Sequence, residues 1–250
     1  MGWVSVASVK NNRFPVPTLF DRLHFSFAQH IGLIRFFWFT RVARKKLKTF
    51  ALIDKSSAGL GYSKSHFVKY GPDARIHWTM FLLVSIPDLD KSSLLILGPR
   101  YETEILLAHS LGFKKRSVRG LDTYSYSPLI DVGDMHKLPY NTSSYKNIIC
   151  GWTLSYSADP QKAADEMDRV LQPGGYIVLS VQKVANDFKE TINGIPSGEH
   201  RIQTLAQFDK LFANLKRVAG FEPMSVGDSS HLLVAYHKPE EVNIKCSEQL

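Results

Sequence analysis

A repeating order of turn, strand and helix in the second half of the chain constrains its fold most strongly. An acidic turn at 134–140 is followed by an apolar run at 147–150, and residues 160–171 have the spacing of an amphipathic helix. A Pro-Gly-Gly turn at 173–175 then leads into a second apolar run, 176–181. Strands that alternate with helices form parallel sheets, and ligand pockets lie at the carboxyl ends of their strands. A carboxylate in that turn therefore indicates a pocket for a nucleotide-like ligand.

The residues of this region resemble one family. The likeness is carried by Asp134-Met135-His136-Lys137-Leu138-Pro139-Tyr140 and Arg169-Val170-Leu171-Gln172-Pro173-Gly174-Gly175-Tyr176. They are similar to the class I S-adenosylmethionine-dependent methyltransferases, in particular to the broad type-11 methyltransferase domain, and the resemblance covers residues 92–237. It implies transfer of a methyl group from the cofactor S-adenosylmethionine to a small-molecule, glycan or lipid-linked acceptor.

The resemblance also implies the fold class. We expect an α/β protein, a three-layer αβα sandwich with a Rossmann-like, mostly parallel sheet and an antiparallel last strand. The predicted organisation is a basic, mostly helical N-terminal segment over 1–90, the methyltransferase-like domain over 91–238 and a flexible tail over 239–250. The length of 250 residues and the 44% hydrophobic content suffice for one large core.

The predicted cofactor loop departs from the family pattern. Gly98 matches the first glycine after the first strand, but the other two glycines are replaced and no acid stands at Ile96. Glycine matters in such a loop because it lets backbone amides approach the ligand closely. The resemblance therefore implies that Arg100 pairs with the cofactor carboxylate, with Glu102 in the same site. The alternative is a non-catalytic scaffold or binding protein that has kept the fold and lost the cofactor.

Two acidic positions match the family's remaining cofactor contacts. The resemblance assigns Asp122, with Thr123 beside it, to the ribose hydroxyls, because an ionised carboxylate is a pure acceptor. It assigns Asp134 to the adenine amino group, with Met135 as the apolar neighbour. The alternative for both acids is a role as turn residues or helix caps. The stretch between them is too short for a strand and a full helix, so we expect a turn or loop there.

We expect the binding site of the methyl-accepting substrate just after the strand that ends near residue 150. Gly151 allows the backbone to pass close to the cofactor, and the Trp152 side chain would cover the cofactor. Methyl transfer needs alignment of the reacting groups and, for some acceptors, a general base. The candidate bases are Tyr156, His136 and His200, and a surface or structural role is the alternative for each.

The positive charge of the chain is confined to its N-terminal part. Residues 1–80 carry a net charge of +10 and residues 81–250 a net charge of −2. We expect an amphipathic helix over 35–50, with phenylalanines on one face and Arg41, Arg44 and lysines on the other. Three interpretations stay open: a helical cap on the domain, a peripheral contact of residues 30–50 with anionic membrane, and a nucleic-acid surface, which has the least support.

Other features of the sequence narrow the function classes. Cys150 and Cys246 give no disulfide framework, and the histidines show no metal-ligand spacing, so we expect no metal. No signal peptide or membrane-spanning run is visible, and we expect a cytoplasmic protein with a peripheral membrane contact as the alternative. Thr204 and Gln207 resemble a capping box, and the helix that they begin is expected to end at Gly220.

Overall fold

The computed structural model describes residues 19–44, 48–49, 74–99, 101–182, 202–223 and 231–240. In these residues the helices are α1 (Leu19–Phe37), which continues as a π-helical turn (Trp38–Val42), α2 (Ala74–Val84), α3 (Glu102–Ser110), α4 (Pro160–Val170) and α5 (Leu205–Leu211). The strands are β1 (Lys48–Thr49), β2 (Leu94–Leu97), β3 (Val118–Asp122), β4 (Tyr124–Ser125), β5 (Ile130–Val132), β6 (Tyr145–Gly151), β7 (Leu171–Gln182), β8 (Lys216–Phe221) and β9 (His231–His237).

Seven of these strands form one mostly parallel sheet. Their order is β5-β3-β2-β6-β7-β9-β8, and the pairs from β5 through β7 are parallel. Strand β9 is antiparallel to both of its neighbours, β7 and β8. The chain reverses its direction of travel across the sheet between β2 and β6, and in open α/β sheets ligands bind outside the strands at such a switch point. The predicted sheet, including its antiparallel last strand, is confirmed.

Helices cover both faces of the sheet. Side chains alternate along a strand, so Leu94 and Ile96 of β2 belong to one buried cluster and Leu95 and Leu97 to the other. The first cluster contains buried residues of α1, α2 and α3, and the second contains buried residues of α4 and α5. The predicted three-layer αβα sandwich is therefore confirmed.

Local sequence chemistry sets the start of two helices on the second face. The Asp159 side chain accepts a hydrogen bond from the amide of Lys162 at 3.0 Å, and Pro160 follows at the first helical position of α4. Thr204 and Gln207 form the reciprocal capping box that the sequence predicts, and α5 begins there. Both starts are readable from sequence because each involves only neighbouring residues.

Three predicted elements differ from the structure. The N-terminal helix covers 19–42 instead of 35–50, and Lys48–Thr49 is a short strand that pairs with Tyr124–Ser125. The stretch between Asp122 and Asp134 contains no helix, as predicted, but it does contain the strands β4 and β5. The predicted helix end at Gly220 is wrong, because α5 ends at Leu211 and Lys216–Phe221 form the edge strand β8.

Helix α1 packs against the start of α3 and is held there by an ion pair. Arg35 forms an ion pair with Glu102, whose side chain has no exposed surface. A side chain at Gly32 would come within 2.1 Å of Thr103 Oγ1, so glycine allows the two helices to approach closely. Phe36 packs edge-on against the ring of Tyr126 at a centroid distance of 5.3 Å. The inner face of α1 thus packs on the domain, as the cap interpretation predicts.

Candidate cofactor and acceptor site

Strand register brings the predicted turn residues to one edge of the sheet. Leu97 pairs with Leu121 on one side and with Cys150 on the other, and Asp122 pairs with Val132. Neighbouring strands lie ~4.8 Å apart, so the ends of the four adjacent strands β5, β3, β2 and β6 span roughly 15 Å. The residues at these ends are Gly98, Asp122, Gly133, Asp134 and Gly151.

Gly98 occupies a position that only glycine fits. Its φ angle is +71°, in the left-handed region that other residues rarely adopt. A side-chain carbon at Gly98 would come within 2.0 Å of Thr153 Oγ1, which itself donates a hydrogen bond to the Leu97 carbonyl at 3.1 Å. The Gly98 amide donates to the Leu121 carbonyl at 2.8 Å. The loop is therefore packed closely between β3 and the turn after β6.

Asp122 ends β3 with its carboxylate fixed in orientation. Its Oδ1 atom accepts hydrogen bonds from the Thr123 amide at 2.6 Å and from the Thr123 hydroxyl at 3.2 Å. The side chain is half-buried at the edge where Gly98 lies. A carboxylate held in this way can accept hydrogen bonds from a diol, as the resemblance implies for the ribose.

Asp134 and His136 form a fixed unit with Ser157. Asp134 Oδ1 accepts from the His136 amide at 2.9 Å and lies 2.6 Å from His136 Nδ1. His136 Nε2 lies 2.7 Å from the Ser157 hydroxyl oxygen. Both ring nitrogens are engaged in the described structure, which orients the imidazole, and the role of His136 as a base stays a prediction. The Asp134 side chain keeps 34% of its surface exposed, and Met135 packs partly buried against the core.

Trp152 and His231 form the wall on the other side of Gly98. Trp152 follows Gly151 with a φ of +60°, and its amide donates to the Ser180 carbonyl at 2.7 Å. The indole stacks on the His231 imidazole at 5.0 Å and 27°. Two atoms of this pair, Trp152 Nε1 and His231 Nδ1, are buried without a hydrogen-bond partner in the described structure. Such atoms are rare in native proteins, and a polar ligand at this wall would satisfy them.

His231 is absent from the sequence-based candidates. Its ring reaches the site because β9 runs antiparallel to β7 and pairs Gln182 with His231 at the carboxyl end of β7. Burial lowers the pKa of the His231 imidazole, so the ring is neutral at pH 7. A neutral ring with an unsatisfied buried nitrogen is chemically able to accept a proton. The only sequence feature that could have indicated His231 as a site residue is its position at the start of the last apolar run.

Several predicted site residues lie elsewhere or stay untested. The Glu102 carboxylate is bound to Arg35 and to the Ser127 hydroxyl, so it is an anchor for α1 and not a cofactor contact. Tyr156 closes the short 3-10 turn after Trp152 and is half-buried, and its role as a base stays a prediction. Arg100 and His200 lie outside the described residues.

A cavity of about 440 Å³ lies at the opposite edge of the sheet. It is lined by residues that precede β2, β3 and β6, among them Ser93, Ser117 and Ser144, and by Arg116 and Arg119. None of the predicted cofactor residues lines it. The carboxyl edge, where those residues gather, is therefore the candidate site.

The residues at the carboxyl edge fit S-adenosylmethionine. Gly98 lets the loop backbone run close to the sheet edge, where a Cβ atom would clash with Thr153, and Asp122 and Asp134 offer carboxylate oxygens as hydrogen-bond acceptors. Trp152 supplies an aromatic face and an unsatisfied donor. Pro99 removes one amide from the loop, so fewer backbone donors are available than in a glycine-rich loop.

Comparison with known proteins bears on the fold and on the family of one segment of the chain. Residues 112–179 match the family model of a methyltransferase domain. No curated protein sequence matches the chain. A chain from the Haloferax volcanii complex of the Trm112 methyltransferase activator with a methyltransferase is 17% identical, with a TM-score of 0.53, and the match covers 76% of this chain and all of that one.

Two further structures are similar at lower scores. An S-adenosylmethionine-dependent methyltransferase fold from Listeria monocytogenes is 15% identical over 67% of this chain and all of that one, with a TM-score of 0.49. One from Mesorhizobium loti is 17% identical over 65% of this chain and 98% of that one, with a TM-score of 0.48. The strand order and the Haloferax volcanii match show a Rossmann-like fold for the chain, and residues 112–179 within it match the methyltransferase-domain family.

Proposed function

We propose that this enzyme transfers the methyl group of S-adenosylmethionine to an oxygen, nitrogen or carbon atom of a small-molecule, glycan or lipid-linked acceptor. The observation that carries the proposal is the position of Gly98, a glycine with left-handed backbone that packs closely on Thr153 at the switch point of the sheet. The cofactor, when bound, supplies an electrophilic methyl group on a sulfonium sulfur. The protein then has to hold it, align the acceptor and exclude water.

The cofactor is held, in this proposal, by the half of the edge that contains β3 and β5. Asp122 accepts the ribose hydroxyls, and the Thr123 hydrogen bonds keep its carboxylate in place. Asp134 accepts the adenine amino group, and its orientation is set by His136, which is in turn bound to Ser157. Each of these two carboxylates is thus held in place by a neighbouring residue, so both are oriented before the cofactor binds.

The acceptor lies, in this proposal, beside Trp152 and His231. The two unsatisfied buried atoms there would bind its polar groups, and the neutral imidazole of His231 would take the proton that the acceptor releases. A base at this position helps an acceptor with a hydroxyl or protonated amine. An acceptor without such a proton would use the pair only for alignment.

The ionisation of His231 is directly measurable. Because burial lowers the pKa of this group, we expect its imidazole to titrate below the ordinary value of about 6.5. The contribution of the neutral His231 ring to the free energy of unfolding is fully present above pH 6.5. It is lost as the pH falls below 6.5, because the unfolded state binds the proton first. Histidine-labelled protein followed by NMR gives the titration, and His231→Asn assigns the signal by its disappearance. A His231 signal that titrates at or above 6.5 would contradict the proposed neutral base.

Transfer of an isotopic methyl group tests the proposed function. Methyl-labelled S-adenosylmethionine is incubated with the enzyme and with fractions of cell extract, and the label is separated into water-soluble and organic-soluble products. We expect label in one fraction with the wild type and at least a tenfold lower rate with Asp122→Ala, because each lost hydrogen bond to a charged group costs ~1.5–3 kcal/mol. Asp165→Ala, an exposed acid of α4, is the matched control and should transfer at the wild-type rate. Label that stays in the cofactor with every fraction would favour the scaffold alternative.

A further inference from the structure

The outer face of α1 is an exposed apolar surface. Seven large apolar side chains of α1 and its π-helical turn are exposed in the described structure, and elsewhere in the described residues only Val218 is comparable. Five of them share one face, with exposed fractions from 57% to 69%. We call these five the apolar stripe: Leu23, Phe27, Ile34, Phe37 and Trp38. Single exposed apolar residues are ordinary on a protein surface, but a row of five on one helix marks an interaction site.

The stripe is a consequence of helical spacing. Leu23, Phe27, Ile34 and Phe37 are four, seven and three residues apart in succession, which places them on one side of a helix. The opposite side is the one that packs on the domain, where Ala28 is 1% exposed and Gly32 meets Thr103. The helix and its π-helical turn together extend for roughly 36 Å at 1.5 Å per residue. The stripe is therefore long, straight and directed away from the sheet.

The charge beside the stripe has one sign. From residue 22 to residue 53 the sequence contains seven Lys or Arg residues and no Asp or Glu. Arg41, Arg44 and Lys48 are exposed at the C-terminal end of the stripe, whereas Arg35 is used in the ion pair with Glu102. The occupant must therefore offer apolar surface and negative charge together. An anionic lipid surface offers both along the whole length of the stripe.

We propose that the apolar stripe docks this protein on the surface of an anionic membrane, with α1 lying in the plane of the interface. In the described residues no helix is long and apolar enough to span a bilayer, which fits a helix that lies on the membrane. The exposed apolar and basic residues that we infer to make this contact lie at 23–44 and at Lys48, where the sequence indicates 30–50. The other face of α1 contacts the start of α3, directly after the cofactor loop, so docking holds the candidate site within about one helix diameter, ~10 Å, of the lipid headgroups. The docking does not depend on the proposed methyl transfer.

Vesicle flotation of the full chain tests the proposal. We expect the wild type to float with vesicles of phosphatidylcholine containing 30 mol% phosphatidylglycerol, and at least tenfold less with phosphatidylcholine alone. The combined variant Phe27→Ser, Ile34→Ser and Trp38→Ser should lose at least tenfold in binding. Val218→Ser removes an exposed apolar side chain from β8 and should bind like the wild type.

The charged part of the surface is tested separately. We expect Arg41→Gln with Arg44→Gln to lower binding to the anionic vesicles at least tenfold, since each cation near the lipid surface contributes about fivefold. Lys115→Gln, an exposed cation of another region, is the control. Urea unfolding checks that each variant keeps the wild-type fold. A wild type that stays unbound, a stripe variant that floats like the wild type, or a wild-type dimer that the stripe variant turns into a monomer would overturn the proposal.

Discussion

Gly98→Ala is expected to abolish measurable binding of S-adenosylmethionine and to lower the free energy of unfolding by about 2–4 kcal/mol. The left-handed backbone is unfavourable for alanine, which accounts for ~1–2 kcal/mol. The added carbon would also lie 2.0 Å from Thr153 Oγ1 and 2.8 and 2.9 Å from its Cγ2 and Cβ atoms. Either Thr153 or the loop has to move, and overpacking of this kind costs a further ~1–3 kcal/mol. Calorimetric titration measures binding, and urea unfolding measures stability.

Gly112→Ala is the matched control for that substitution. Gly112 also has a positive φ, +96°, so alanine there meets the same kind of backbone strain. The contacts of an added carbon are ordinary ones at 3.7 Å to Lys91, and the position lies beyond α3, away from the site. We expect Gly112→Ala to lose ~1–2 kcal/mol of stability and to bind the cofactor like the wild type. Equal cofactor binding by Gly98→Ala would show that the loop after β2 does not carry the ligand.

Arg35→Met is expected to lower the free energy of unfolding by about 2–3 kcal/mol and to loosen α1 from the domain. Arg35 donates to both carboxylate oxygens of Glu102, whose side chain is fully buried. Removal of one partner from a buried pair leaves an uncompensated charge, which costs ~3–5 kcal/mol in fully buried cases. The Arg35 side chain is 36% exposed, so solvent screens part of the interaction and the lower range applies. Urea unfolding measures the loss, and proteolysis between 19 and 49 reports the loosening of α1.

A control variant and a double variant make this prediction specific. Arg41→Met removes an exposed cation from the same helix and should change stability by less than ~0.5 kcal/mol. Glu102→Gln combined with Arg35→Met removes both charges and should recover part of the loss, because no buried charge is then left without a partner. Additive losses in the double variant would mean that the two residues do not stabilise the protein as a pair.

The sheet and the helix starts could be predicted from the sequence because their determinants are local. The apolar run of β2, the Pro-Gly-Gly turn before the buried part of β7 and the Asp159 cap each act within a few residues. The resemblance implies one site for Asp122 and Asp134, and in the structure Asp122 ends β3 and Asp134 follows the neighbouring parallel strand β5. Their binding of the cofactor remains a prediction.

The parts that could not be predicted depend on long-range contacts. Glu102 becomes an anchor only because Arg35, 67 residues away, reaches it from α1. His231 joins the site only through the antiparallel pairing of β9 with β7, which no local pattern encodes. The contact of His136 with Ser157, 21 residues further on, likewise could not be read from the sequence.

The extent of the N-terminal helix shows the same limit of local reasoning. Apolar residues surround the helix near 33–39, so the sequence alone does not show which face packs on the domain. The face with Ala28, Gly32 and Phe36 packs on the domain. The small residues allow α1 to approach α3, and Phe36 fits against Tyr126. The apolar stripe is left outside as a result.

Thermal unfolding of the wild-type protein with and without S-adenosylmethionine tests the central claim most directly. At a ligand concentration of about 100 times the dissociation constant, binding to the folded state alone stabilises it by ~2.7 kcal/mol. For a chain of this size we expect the midpoint Tm to rise by roughly 5–10 °C, with a comparable rise for the demethylated product of the cofactor. An unchanged midpoint at saturating concentrations of both ligands would contradict the cofactor site and favour a methyltransferase fold that serves as a scaffold.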